Sequence, residues 1–155
     1  VFFMKRSKKI LWWVAGILAG AFLLLQFVPV ERTNPPVEAD LDAPAEVKAV
    51  LKRACYDCHS NETVWPWYAN VAPVSVLLAR DVNEGRRHIN LSGWGKLTER
   101  KRAGAARAMW REVSEGRMPL PVYLPMHPEA RLTEADKAVI RSWAESLNGG
   151  VLEEE

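Results

Sequence analysis

Cys55-Tyr56-Asp57-Cys58-His59 is the stretch on which the reading of this chain turns. The pattern C-x-x-C-H is the attachment signature of a c-type haem. Two thiols three residues apart can each form a thioether to one of the two vinyl groups on a porphyrin edge. The adjoining imidazole can then swing beneath the ring to bind iron. These are the only two cysteines in 155 residues. Rival uses fit less well. Thiol–disulfide exchange uses C-x-x-C without requiring the histidine and sits beside a βαβ pattern, which this sequence lacks. A structural zinc site needs four ligands with a second closely spaced pair, whereas His88 and His127 stand far apart. The plain alternative is two buried cysteines beside a surface histidine. The spacing predicts haem c held by Cys55 and Cys58, with His59 as the proximal iron ligand.

Upstream, Met4-Lys5-Arg6-Ser7-Lys8-Lys9 is basic, and Ile10 to Val30 runs 21 residues without a charge. At 1.5 Å per residue that run spans about 30 Å, the hydrocarbon thickness of a bilayer. Basic residues ahead of it predict an N-terminus in the cytoplasm and everything after Val30 across the membrane. Trp12 and Trp13 fall at the near interface, where amphipathic rings are favoured. A cleaved signal peptide competes, since Ala19-Gly20-Ala21 offers an A-x-A site. Cleavage there would leave the apolar run Phe22-Leu23-Leu24-Leu25 at the new terminus. Residues 1–30 are therefore expected to be an uncleaved single-pass anchor in the cytoplasmic membrane, with the haem domain facing the periplasm. The formal charge of +2 includes four basic residues ahead of the span, so the exported part has 17 basic against 19 acidic residues. No basic face of the kind nucleic acids need stands out, and that partner class is set aside.

Beyond the anchor, residues 31–44 read as a Pro-rich linker that gives the domain some distance from the membrane. A domain over 45–148 follows, and residues 149–155 form an acidic tail. Asp42 is the expected cap of a first helix whose Val47, Val50, Leu51 and Ala54 share one face. Trp65-Pro66-Trp67-Tyr68 places three rings after the motif, to pack in the core or to wall the porphyrin. A second helix is expected from Pro73 to about Asn83, stopped by Gly85, with loop over 85–97. There Arg86 or Arg87 could meet a haem propionate, though solvated charge is the ordinary use of both. Thr98 caps a third helix to about Glu115, with Ala105, Ala106, Met109, Trp110 and Val113 inward, and Gly116 ends it. The four prolines between Arg117 and Pro128 predict a stiff extended loop carrying three potential iron ligands, Met118, Met126 and His127. Thr133-Glu134-Ala135-Asp136 is a capping box that opens a last helix with Val139, Ile140, Trp143 and Leu147 on one face. The fold class expected is all-α, a small helical domain in which haem supplies the missing apolar centre.

This order of elements resembles class I cytochromes c. More closely, the chain resembles the membrane-anchored bacterial haem-binding domain family of monohaem cytochromes. The matching stretches are Gln26-Phe27-Val28-Pro29-Val30 with Arg32-Thr33-Asn34-Pro35-Pro36, and Cys55 through Thr63 running into Trp65-Pro66-Trp67-Tyr68. Ala72-Pro73-Val74-Ser75, Glu84-Gly85-Arg86, Met118-Pro119-Leu120 with Tyr123, and His127-Pro128-Glu129-Ala130 before Leu132-Thr133 complete them. The resemblance covers about residues 26–147 and implies covalent haem, a methionine ligand in a Met-Pro segment, and electron transfer rather than enzymatic turnover. Redox proteins of unspecified identity, and the membrane through the N-terminal helix, are the partners expected of an electron carrier, and the resemblance adds little about them. The alternative is a haem protein with an open or weakly held distal position that binds gas or reduces peroxide. A membrane-tethered thiol-disulfide protein is a third reading. His59 Nδ1 is expected to donate to a backbone carbonyl, with Pro66 or Pro73 the first candidates.

Overall fold

The structure is a computed structural model and describes residues 2–149, with side chains described from Lys8 onward. Most of the expected acidic tail, from residue 150, lies outside the described residues. Among the described residues six α-helices succeed one another: α1 (Phe2–Leu25), α2 (Ala45–Ala54), α3 (Tyr56–His59), α4 (Val74–His88), α5 (Glu99–Ser114) and α6 (Glu134–Leu147). Short 3-10 turns at Trp67–Asn70, Leu91–Lys96 and Pro128–Ala130 complete the regular structure, and no strand forms among the described residues. The all-α expectation holds. By internal packing the chain forms two compact units. One compact unit joins Val1–Thr33 with Trp65–Asp81, and the other joins Asn34–Val64 with Val82–Glu155.

In the first unit, α1 contains one window, Lys8–Leu25, long and apolar enough to cross a membrane, and none of it is buried. The helix ends at Leu25 and not at Val30. The amides of Gln26, Phe27 and Val28 bond to the carbonyls of Leu23, Leu24 and Leu25 at 3.2, 3.1 and 3.2 Å. Such i→i−3 bonds tighten and close a helix, and Pro29 cannot extend it. The Gln26 side chain then takes hold of Ala72 on both sides. Its Nε2 donates to the Ala72 carbonyl at 3.2 Å, and its Oε1 accepts from the Ala72 amide at 3.0 Å. Arg32 Nη1 donates to the Ala69 carbonyl at 2.8 Å.

In the second unit the core is built by the faces the periodicity predicts. Val47, Val50, Leu51 and Ala54 of α2 are buried, although the N-cap position is Pro44 and not Asp42. Proline at that position supplies no side-chain acceptor, so α2 leans on packing for its start. Thr98 accepts from the Lys101 amide to cap α5, and Thr133 with Asp136 forms the expected capping box of α6. Ala106 and Val113 of α5 meet Ile140, Trp143 and Ala144 of α6 in one cluster, where Trp94 and Trp143 pack at 5.4 Å between ring centroids. Each fully buried aliphatic side chain of this kind contributes roughly 1.5–3 kcal/mol.

Two expectations change here. The stretch over 34–44 is extended, but it is no free spacer. The amides of Glu38 and Ala39 both donate to the Ser92 carbonyl at 3.1 and 2.9 Å, and Leu41 is buried in the core. Gly85 does not stop α4, which runs on to His88. Glycine is there because the helix passes close to the C-x-x-C-H turn: a Cβ at position 85 would stand 2.5 Å from the Cys58 carbonyl oxygen. With backbone on both sides, nothing flexible can yield. Gly85→Ala is expected to cost about 2 kcal/mol or more by forcing α4 off the turn. A lowered urea midpoint at unchanged slope would report it; an unmoved midpoint would show that the helix shifts freely.

Candidate functional site

The attachment motif is one helical turn. The Cys55 amide closes α2 on the Leu51 carbonyl at 2.8 Å, and the Cys55 carbonyl then accepts from Cys58 and His59 amides at 3.2 and 2.9 Å. Cys58 and His59 therefore stand at i+3 and i+4 from Cys55, the spacings that share a helix face. Neither cysteine forms a disulfide, and both are half-buried. Burial pushes the Cys55 thiol up to about 12, with the neighbouring Cys58 adding to the rise. A thiol so hard to ionise is a poor disulfide-exchange nucleophile, which weakens the thiol-disulfide reading.

His59 is fixed from behind. Its Nδ1 lies 3.2 Å from the Ile89 carbonyl oxygen, so the backbone acceptor is Ile89 and not Pro66 or Pro73. The continuation of α4 through Gly85 explains this, because it delivers the unpaired carbonyls of a helix end to the ring. With Nδ1 carrying the hydrogen, Nε2 presents a lone pair. Burial lowers the imidazole's pKa below its ordinary value, against the pull of the backbone carbonyls of Ile89 and Gly85. A neutral imidazole held by a carbonyl is the form that binds metal.

The turn is braced on all sides within its unit. Arg86 Nε donates to the Ser60 carbonyl at 2.8 Å, and its Nη2 reaches Thr63 Oγ1 and Asn34 Oδ1 at 2.9 and 3.0 Å. Arg86 thus ties the chain after the motif, while Arg87 pairs with Glu84 at 2.6 Å. Tyr56 is buried and donates to Asp40 Oδ1 at 2.9 Å. Asp57, between the two cysteines, accepts the Val64 amide at 2.9 Å on Oδ1 and the Tyr123 hydroxyl at 2.6 Å on Oδ2.

That last bond brings the proline-rich loop to the motif. Tyr123 stacks on His127 with centroids 3.9 Å apart and an 8° angle, and His127 Nδ1 lies 3.1 Å from Glu129 Oε1. Met118 is half-buried, and its amide donates to the Glu112 carbonyl at 3.1 Å, just past the left-handed Gly116. Arg117 grips the Glu112 carboxylate through Nε and Nη2 at 2.7 and 2.8 Å, fixing the exit from α5. Met126 is 57% exposed. Sequence reading found these ligand candidates but not the Asp57–Tyr123 bond that draws their loop in. Tyr123→Phe removes that bond and is expected to lower stability by about 1–2 kcal/mol, as loss of hydrogen bonds to charged groups does. Asp57→Asn should lose no more than the same bond and part of its backbone contact. Urea unfolding of both variants checks this, and two unshifted midpoints would show the loop held by other contacts.

The three aromatic candidates lie in the first unit. Trp65 and Tyr68 are half-buried, with Trp65 Nε1 buried and lacking a partner, whereas Trp67 is 72% exposed. Trp67 and Tyr68 meet edge to face at 5.7 Å.

The donor set fits haem better than a bare metal ion. Among the described residues no three His, Cys, Asp or Glu side chains gather into a cluster that could hold such an ion. Two thiols and an oriented imidazole on one turn are what a covalently attached porphyrin uses. No curated protein and no solved structure matches the chain. A family model described as haem-binding domain matches residues 20–146, which takes in the attachment turn, its α4 brace and the proline-rich loop. With most of its length matched, the chain belongs to the haem-binding domain family.

Proposed function

We propose that the chain is a membrane-anchored monohaem c-type cytochrome that carries single electrons on the periplasmic side. The observation that carries the reading is the turn Cys55–His59, with neither cysteine in a disulfide and the His59 ring oriented by Ile89. Each thiol would add across one vinyl group, sulfur bonding to the carbon next to the ring and the thiol hydrogen going to the outer carbon. No oxidant is consumed. His59 Nε2 would hold the iron from one side, its basicity raised by the Ile89 carbonyl. Bound haem supplies one-electron chemistry at iron. Met118 is the distal ligand we favour, ahead of His127 and Met126.

An electron carrier needs both axial positions filled, and a gas- or peroxide-reactive protein needs one open. The test is made on protein matured with a cytochrome c assembly system. Intact mass should show one covalent haem, and carbon monoxide should leave the ferrous spectrum unchanged. Rapid carbon monoxide binding would move the assignment to the reactive class. Absence of a haem mass increment would end the c-type reading.

A further inference from the structure

The first unit presents a surface turned inside out. From Trp65 to Ala79, fifteen consecutive residues carry no charge, in a chain where 26% of residues are charged. The small residues Ala69, Ala72, Ser75 and Ala79 are the buried ones. Five large apolar ones face outward: Trp67 is 72% exposed, Leu77 is 55% exposed, and Val71, Val74 and Val76 are exposed with them, while Trp65, Tyr68 and Leu78 are half-buried. A water-facing element places large apolar side chains inward and charge outward. A contiguous exposed apolar surface marks a partner or a membrane.

The surface begins where the membrane-length helix stops. Gln26, the first residue past α1, holds the Ala72 backbone through both its amide nitrogen and its oxygen. Arg32 holds the Ala69 carbonyl three residues earlier. These bonds pin the uncharged segment to the chain at the point where it leaves the hydrocarbon. The family match begins at residue 20, inside α1, and so takes in the end of that helix.

We propose that Trp65–Ala79 is a second membrane contact, with Trp67, Val71, Val74 and Leu77 seated in the headgroup–acyl boundary of the bilayer that holds α1. The proposal rests on α1 spanning that bilayer. Tryptophan is favoured at that depth, where its ring is half solvated. Interfacial segments bury an apolar face there without crossing. The first charge after the segment, Arg80, is exposed and stands where a basic side chain can reach headgroups.

The test places a photoreactive p-benzoylphenylalanine at position 67 or 77 of the full haem-loaded chain in phosphatidylethanolamine–phosphatidylglycerol vesicles. Position 18, within α1, and position 122, an exposed apolar site in the other unit, serve as references. Lipid adducts are read by mass. Yields at 67 and 77 are expected to approach that at 18 and to exceed that at 122 by about tenfold, as interfacial burial requires. Adducts at 18 with none at 67 and 77 overturn the proposal and leave the anchor standing. Adducts at 67 and 77 to haem or to a second protein assign the surface to that occupant and overturn it equally. Absence of lipid adducts at 18, 67 and 77 together removes both the anchor and the patch.

Discussion

The double variant Cys55→Ser, Cys58→Ser is expected to carry no covalent haem, and each single variant to retain one thioether. In the wild type the prosthetic group should survive a denaturing gel; in the double variant the haem stain should fall to background. The cause is local. The two thiols stand at i and i+3 of one helical turn, and a hydroxyl does not add to a vinyl group under the conditions that suffice for a thiol. The fold should persist, because the second unit's core is built by Leu51, Leu91, Trp94, Ile140 and Trp143, and a serine of nearly the same size keeps the packing of half-buried Cys55 against it. Far-UV circular dichroism of the variant should therefore keep its helical shape. His59 remains oriented by Ile89, so haem added in solution should bind reversibly and leave on extraction into acidified solvent. Haem that stayed attached through the gel in the double variant would place the covalent link elsewhere and remove the c-type assignment.

The legible parts of this chain were the local ones. Thr98 and Thr133 were readable as caps because a side-chain acceptor three residues ahead of its donor amide needs no tertiary partner. The apolar face of α2 was readable because 3.6-residue periodicity repeats within ten residues. Gly85 was misread for a physical reason. A glycine in a helical pattern signals either a stop or a close approach, and only the Cys58 carbonyl, 27 positions away, decides between them. The error in His59's partner followed from it, since a helix ending at Asn83 could not bring Ile89 to the ring.

The same division runs through the site. The candidate ligands are visible as residue types, but what positions them is not. Asp57 and Tyr123 are 66 positions apart, and Gln26 and Ala72 are 46 apart; neither pair belongs to any repeating pattern. Leu41 sits among prolines and polar residues, where composition says linker, yet it is one of the most buried side chains in the molecule. Composition measures what a segment can bury on its own. It is silent about what a neighbour makes available.

Met118→Ala is expected to open the distal iron position, and this follows from how the three candidates are held. Met118 leaves α5 through a turn fixed by Gly116 in the left-handed region and by two amides, Arg117 and Met118, converging on the Glu112 carbonyl at 2.9 and 3.1 Å. A ligand so placed is ordered before it binds, which is what a stable sixth coordination needs. Met126 has 57% of its surface exposed, and its flexible side chain has more freedom to lose on binding. His127 is the stronger rival, because its contact with Glu129 is the kind that supports a metal-bound imidazole. Its ring, however, is stacked on Tyr123. With Met118 as ligand, proton NMR of the reduced protein shows one methionine methyl far upfield in the porphyrin ring current. Met118→Ala should abolish that signal, admit carbon monoxide to the ferrous protein, and lower the reduction potential by on the order of 100 mV, since a thioether favours ferrous iron. Met126→Ala and His127→Ala should leave the signal in place. A signal that survives Met118→Ala but disappears in Met126→Ala transfers the role to Met126. No upfield methyl in the wild type, with carbon monoxide still excluded until His127 is replaced, assigns a bis-histidine iron and a lower potential.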